Sequence, residues 1–411
     1  MTDPRPRLLF LSQTLPFPPD GGVKIRTFNI LRLLARTFDV TALCFYRSKG
    51  GELRTDVSGA LAGLAPYARV EAFAIPQERS RARFLADHLR SALTLRAYTV
   101  YSYGSGDFRR RLRELLDRES FDLVHADSLD LSGYFPALDG LPVVCVHHDA
   151  QSILLARRAA VEESMLRRWY LAFQSRLMLR EERRWCPRVN LNVAVSEVDR
   201  EKLQAHAPGS PFSVVPNGVD TDLLAPRGPG RGGVVFVGGT TWFPNLDALQ
   251  YFEEAILPEL RRSGVEVPVT WVGRATERER EEYGRRSGIR MTGYVTDIRE
   301  EVADALCYVV PLRIGGGTRI KILDAWAMGK AIVSTRIGCE GLDARDGENI
   351  LIRDDPASFA EAIRQVLVDP NLRGRLELEG RRTVERSYSW ESLEPAMRAD
   401  YLGLIARAHI R

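Results

Sequence analysis

With 411 residues, the chain has room for two or three domains at about 150 residues each, and for more than one sizeable core. Hydrophobic residues at 45%, charged residues at 27%, 33 Gly and 22 Pro exclude disordered, collagen-like and disulfide-scaffold classes. A net charge of +4, from 58 basic and 54 acidic residues, is too small to mark a nucleic-acid-binding protein. The longest apolar runs, such as 305–312, reach about eight residues, far below the roughly 18 that cross a bilayer. The opening residues lead straight into a short apolar strand without the core of a secretory signal, so the chain is expected in the cytoplasm. Cys44, Cys145, Cys186, Cys307 and Cys339 form no CxxC pair and read as reduced packing residues.

Short β-branched or apolar runs bounded by turn residues predict strands at Arg7–Ser12, Val40–Phe45, Asp122–Ala126, Val143–Val146 and Leu191–Val195. Helical spacing lies between several of them, as in Phe28, Leu31, Leu34 and Ala35. A second series starts near Val234, with strands at Val234–Val237, Val267–Val272, Leu306–Val310 and Ala331–Ser334 and helices at Asn245–Arg262, Glu277–Arg286 and Thr318–Met328. Such alternation predicts α/β architecture: two Rossmann-like, doubly wound parallel sheets in tandem. Pro and Gly crowd into 207–231 around one strand-like piece, Phe212–Val215, and place the hinge there. The expected division is therefore 1–207, 208–387, and a C-terminal helical tail 388–411 packing back on the first unit. Doubly wound sheets bind ligands at the C-terminal ends of their strands, so function is sought there.

The loop after the first strand carries Asp20-Gly21-Gly22-Val23-Lys24-Ile25-Arg26. Paired glycines admit a close ligand, and the following helix offers unpaired N–H groups to an anion. A tight turn with solvated Lys24 and Arg26 is the alternative, and no GxGxxG fingerprint is present. A stronger signal is Gly315-Gly316-Gly317-Thr318-Arg319-Ile320-Lys321, where three glycines follow a buried strand and open a helix. Its backbone N–H groups suit a diphosphate, with Arg319 and Lys321 adding charge. Asp324 follows where a carboxylate reaches ribose hydroxyls, while Ile320, Leu323 and Ala327 are expected against the sheet. Lys321 is one of only five lysines, two of which fall beside Gly-rich loops.

The third signal is Val143-Val144-Cys145-Val146-His147-His148-Asp149-Ala150-Gln151-Ser152, a strand that ends in polar residues. Imidazole donates to a sugar hydroxyl or orients a leaving group without a metal. Adjacent residues of an extended strand point oppositely, so at least one histidine is structural, and His148 is favoured as the catalytic one. His147 and Asp149 are pocket candidates, as is His125 at another strand end, where a buried hydrogen-bonding role is the alternative. The His and carboxylate residues show neither HExxH nor a clustered Asp-x-Asp flanked by strand and loop, and no GxSxG elbow occurs, so no metal site is expected.

Taken in order along the chain, these motifs resemble those of the retaining GT-B glycosyltransferases of glycosyltransferase family 4, in the branch of exopolysaccharide-type sugar transferases. The resemblance extends through Ala194-Val195-Ser196-Glu197, Val215-Pro216-Asn217-Gly218-Val219-Asp220 and Gly238-Gly239-Thr240-Thr241-Trp242 to Leu323-Asp324-Ala325. It implies two Rossmann-like domains facing a central cleft, with the donor held mainly by the second and the acceptor by the first. It further implies metal-independent transfer, with retained configuration, from a UDP- or GDP-sugar to a glycan or lipid-linked acceptor. The nucleotide sugar is a substrate and no cofactor is implied. Gly21, Gly22, Lys24, Gly315, Gly316, Gly317, Thr318, Arg319, Lys321 and Asp324 would meet the donor, and His148 the transferred sugar. Two departures stand out. Gly316 and Asp324 occupy positions where relatives often carry two glutamates, and Thr241, Trp242 and Asn245 replace a common Arg and Lys pair. A nucleotide-sugar epimerase, a phosphorylase or a non-catalytic binding module are the alternatives on the same fold. Arginine-rich segments over 79–96 and 157–184 read either as a peripheral membrane face or as solvated, salt-bridged helices.

Overall fold

The computed structural model describes residues 5–48, 56–228, 230–315 and 319–409. The chain divides into two compact units, 1–215 with 394–411, and 216–393. The first is built on strands β1 (Arg7–Ser12), β2 (Asp39–Tyr46), β3 (Arg69–Ala74), β4 (Leu123–Ala126), β5 (Val143–His147), β6 (Leu191–Ala194) and β7 (Phe212–Val214). The second is built on β8 (Val234–Val237), β9 (Val269–Val272), β10 (Arg290–Met291), β11 (Cys307–Val310), β12 (Ala331–Ser334) and β13 (Leu351–Ile352). The sheet orders are β3-β2-β1-β4-β5-β6-β7 and β10-β9-β8-β11-β12-β13, and the pairings between these strands are parallel.

Both orders obey one winding rule. The chain starts at the centre of each sheet, winds outward to one edge, and returns to build the other half. The reversal falls between β1 and β4 in the first unit and between β8 and β11 in the second, the switch points at which such sheets take ligands. Central strands are buried on both faces: Leu8, Leu9, Phe10 and Leu11 are fully buried, as are Tyr308, Val309 and Val310. This is why they read as continuous apolar runs.

The expected domain limits shift for two physical reasons. Phe212–Val214 pairs with β6 through Asn192, Val193 and Ala194, so it completes the first sheet and the division comes after Val215. The helix Trp390–His409 begins in the second unit, and its later part belongs to the first, with Met397 and Tyr401 buried. Three strands not anticipated from the sequence, β3, β10 and β13, are edge or near-edge elements. β3 is half-buried along most of its length, and β10 and β13 have two residues each. The long helix expected at 245–262 is continuous but contains a π-helical stretch, Phe252–Ile256, before Pro258.

Candidate active site

Each switch point gathers a distinct set of side chains. In the first unit, parallel pairing of β1 with β4 sets Leu11 beside Ala126, and the next residues, Ser12 and Asp127, meet across the strand ends. Asp127 is fully enclosed: Thr27 Oγ1 donates to its Oδ2 at 2.6 Å and Ser12 Oγ at 3.3 Å. His125 Nε2 stands 3.5 Å and His148 Nε2 3.7 Å from its Oδ1. Burial alone pushes an aspartate up, but the nearby His148 and His125 rings outweigh it and hold Asp127 well below the usual carboxylate range.

The His148 ring donates from Nε2 to the Asp127 carbonyl at 2.7 Å. A carbonyl only accepts, so Nε2 carries the hydrogen, and in the neutral ring Nδ1 is the acceptor. His147 points to the other side of β5, where its Nε2 lies 2.9 Å from Asn192 Oδ1 and it is buried. Desolvation lowers its pKa, which keeps it a neutral packing group. His125 is completely buried, stacked on Phe10 with ring centroids 4.2 Å apart, and its Nδ1 is 2.8 Å from the Tyr401 hydroxyl. Burial lowers its pKa too.

Asp149 is half-buried, and desolvation, with Asp199 second, raises its carboxyl to about 7. Asp130, absent from the sequence expectations, is buried nearby. It accepts from Gln151 Nε2 at 3.3 Å, and burial raises it as well. The signal for Asp127 is its position immediately after a central strand, the argument that singled out His148, whereas Asp130 sits in the short turn Leu129–Leu131 beyond it.

The first glycine loop is simpler than expected. The helix Gly22–Leu34 starts at Gly21 without a side-chain cap or an acidic residue in its first turn, leaving its amides open to an anion. Lys24 pairs with Asp20 at 3.0 Å. Arg26 turns inward and donates to the Val215 carbonyl at 2.8 Å, and burial lowers it to about 10. The structure thus commits both cations within the first unit.

In the second unit, β8 runs into Gly238-Gly239 and β11 into the loop that precedes the helix Ile320–Ala327. Gly316, Gly317 and Thr318 lie outside the described residues. Gly315 is described, and Arg319 packs so closely against it that a Cβ there would collide with the guanidinium. Arg319 is buried and directed toward the Ile337 carbonyl, so it braces the loop rather than facing outward. Lys321 Nζ donates to Asn245 Oδ1 at 2.7 Å and lies 4.1 Å from the centre of the Phe236 ring. Asn245 in turn donates to the Gly239 carbonyl at 2.9 Å, tying the Gly-Gly loop, the lysine and the helix together. Asn245 is the residue that reading the sequence missed here. It appeared only as a substitute for a basic group.

Burial lowers Lys321 well below the usual range, with Arg319 adding to the effect and Asp324 opposing it. Asp324 is raised to about 7 by burial, with Lys321 opposing. Lys321 and Asp324 are half-buried, three residues apart on one helix, and a partly desolvated lysine near a carboxyl held partly protonated favours an incoming anion. On the inner side of the same helix Ile322, Leu323, Trp326 and Ala327 are buried, whereas Ile320 is only half-buried. The anticipated inward face is therefore turned slightly around the helix. Among the described residues no group of three or more His, Cys, Asp or Glu is placed to hold a metal ion.

Two family models match the chain: Glycosyltransferase Family 4 over residues 20–223 and Glycosyl transferases group 1 over residues 231–369. The lipopolysaccharide core biosynthesis glycosyltransferase LpsE of Rhizobium meliloti (strain 1021) is 41% identical over 87 residues, which is 21% of this chain and 24% of that protein. The matched stretch is thus about a quarter of that relative's length. Among solved structures, sucrose-phosphate synthase from Thermosynechococcus elongatus superposes with a TM-score of 0.70 at 15% identity, covering 98% of this chain and all of that one. HepE from Anabaena, solved in complex with UDP-glucose, gives a TM-score of 0.66 at 15% identity over 97% of this chain and 99% of that one. At these identities the superpositions establish a shared fold.

Proposed function

We propose that this chain, which belongs to the family 4, group 1 glycosyltransferases and has their two-domain GT-B fold, transfers a sugar from a nucleoside diphosphate to a glycan or lipid-linked acceptor with retention of configuration. The observation that carries the reading is the desolvated Lys321, held by Asn245 at the β8/β11 switch point next to Asp324. A diphosphate there restores the lysine's charged form and is neutralised in return, and Asp324 accepts the ribose hydroxyls. Gly315, Gly316, Gly317 and Thr318 supply the backbone N–H groups of the phosphate cradle, with Arg319 bracing it. UDP is the favoured nucleotide, supported by the UDP-glucose bound to HepE, and a glycan or lipid-linked acceptor is supported by the lipopolysaccharide core biosynthesis in the name of LpsE.

In the first unit, the open N-terminus at Gly21 and Gly22 attracts the donor phosphates. His148, fixed by the Asp127 carbonyl, presents Nδ1 to a hydroxyl of the transferred sugar. Asp149 and Asp130 accept hydroxyls of the acceptor, while His147 and His125 hold the strand ends in place. The acceptor hydroxyl attacks the anomeric carbon on the face from which the nucleoside diphosphate departs, and the departing phosphate oxygen takes its proton. Lys321 and the helix amides stabilise the charge that develops on the leaving group, the role a metal ion plays elsewhere. The five cysteines, all buried and free, support work in the reducing cytoplasm.

The test is a panel of UDP-, GDP- and ADP-sugars, screened first for thermal stabilisation and then for transfer with a chelator present. One nucleotide series should stabilise the protein, and NMR of the product should show the donor's anomeric configuration preserved. Failure of every nucleotide to stabilise would remove the donor assignment. An inverted product would overturn retention, and activity lost to the chelator would overturn metal independence.

A further inference from the structure

We propose that the first unit docks on an anionic lipid surface through a face built from the helix Arg81–Thr94 and the start of the helix Met165–Trp185. Leu85, Leu89 and Leu93 recur every fourth residue along the first helix and so form one stripe. They are 67%, 61% and 74% exposed, and on the second helix Leu166 and Trp169 are 84% and 67% exposed. Apolar side chains this exposed are ordinary when scattered singly, but gathered in one place they mark a surface that another phase or molecule covers.

The two helices form one face because they lie side by side. Gln174 Nε2 donates to Ser91 Oγ at 3.1 Å, and the rings of Tyr170 and His88 have centroids 5.6 Å apart. Both contacts step backward together along the two helices, so the helices run in the same direction. Leu85 and Leu166 each lie one turn further back on their own helix. Phe84 and Tyr98 close around His88 and fix the stripe's orientation, so these leucines cannot turn inward without breaking that ring cluster.

Charge selects the occupant. The one acidic residue of the helix Arg81–Thr94 is Asp87, which is buried and paired with Arg83 at 2.8 Å and with Arg90 at 3.9 Å, so the helix carries net positive charge, with Arg81 and Arg90 exposed. The helix Met165–Trp185 has no acidic residue before Glu181, while Arg167 and Arg168 are exposed beside Leu166 and Trp169. Glu162 and Glu163, in the turn before it, are the acidic residues of this face. An apolar stripe edged by guanidinium groups, with Trp169 and Tyr170 at its margin, matches lipid tails bordered by anionic headgroups. Arginine stems lie along apolar surface while their heads reach the phosphates. Among the described residues no helix is long and apolar enough to cross a membrane, so the attachment is peripheral.

Docking of this kind does not depend on the transfer reaction, and vesicle flotation measures it with no sugar present. The full chain should float with vesicles of phosphatidylglycerol and phosphatidylethanolamine, far less with phosphatidylcholine alone, and less as salt rises. Leu89→Glu with Trp169→Glu should weaken binding at least tenfold, an order-of-magnitude expectation for placing two charges where apolar groups entered the lipid. Its melting temperature and its nucleotide-induced stabilisation should be unchanged, because both positions are exposed. Leu378→Glu, at an exposed leucine of the second unit, should bind like the parent. Absence of vesicle binding by the parent, or equal binding by the double variant, would overturn the proposal. Self-association abolished by the same double variant, without lipid binding, would overturn it in favour of a second copy of the chain.

Discussion

A single hydrogen bond decides what His148 can do. With Nε2 committed to the Asp127 carbonyl, the ring is held with Nδ1 as its remaining acceptor, whereas His147, one residue earlier, is spent on Asn192. His148→Ala should therefore keep nucleotide affinity within a few fold and lower turnover by about 10²-fold or more. Isothermal calorimetry and a transfer assay on the same preparation check this, and unchanged turnover would remove His148 from the reaction. Lys321 makes a second demand. Its pKa is depressed by burial, and only its charged form attracts a diphosphate. Nucleotide affinity should therefore fall as pH rises above that lowered value, with proton uptake on binding near and above it. Calorimetric heats in that range should depend on the buffer's ionisation enthalpy, and an affinity that does not fall with rising pH would refute the lysine's role. The histidine pair was legible in the sequence because alternation along an extended strand separates neighbours. Asn245 was not, since nothing local says that an amide 76 residues away from Lys321 will hold it.

At the scale of elements, the helix Ile320–Ala327 is positioned from both sides. Its outer face carries Lys321, and its inner face carries Trp326, whose Nε1 donates to the Asn349 carbonyl at 2.8 Å. The helix Pro370–Ser387 crosses that indole at Gly380, where any side chain would strike the ring. Gly380→Ala should destabilise the second unit by about 1–3 kcal/mol through overpacking, despite alanine's better helix propensity. Chemical denaturation would measure this, and a stability equal to or above the parent's would show that the two helices can separate without loss. Periodicity found the helix itself, since its apolar spacing is local. Its exact rotation, with Ile322 inward and Ile320 half-buried, depends on which neighbours it packs against.

For the molecule as a whole, the chain leaves the first unit at Val215 and re-enters it at Glu394. The returning segment contributes Tyr401, whose hydroxyl meets buried His125. Tyr401→Phe leaves that imidazole nitrogen without a partner in a dry core and should destabilise the first unit by about 1–3 kcal/mol. The transition of the second unit should stay in place, since 216–393 forms its own core. Hydrogen exchange resolved by segment would separate the two. Equal loss of protection in both units would show that they unfold as one body.

Sequence alone determined the two-fold α/β organisation, the central strands and the strand ends where chemistry belongs, because those depend on apolar runs, turn residues and spacing within short windows. It also supplied His148, Lys321 and Asp324 as candidate site residues. Tertiary structure decided the rest. It enlisted Phe212–Val214 as a seventh strand, folded Arg26 and Arg319 inward as braces, and brought Asn245 to Lys321. It also left the stripe on Arg81–Thr94 uncovered. Each outcome depends on which surface packs against which, and that is set by contacts between residues far apart in the chain, where burial removes water and fixes which polar groups find partners.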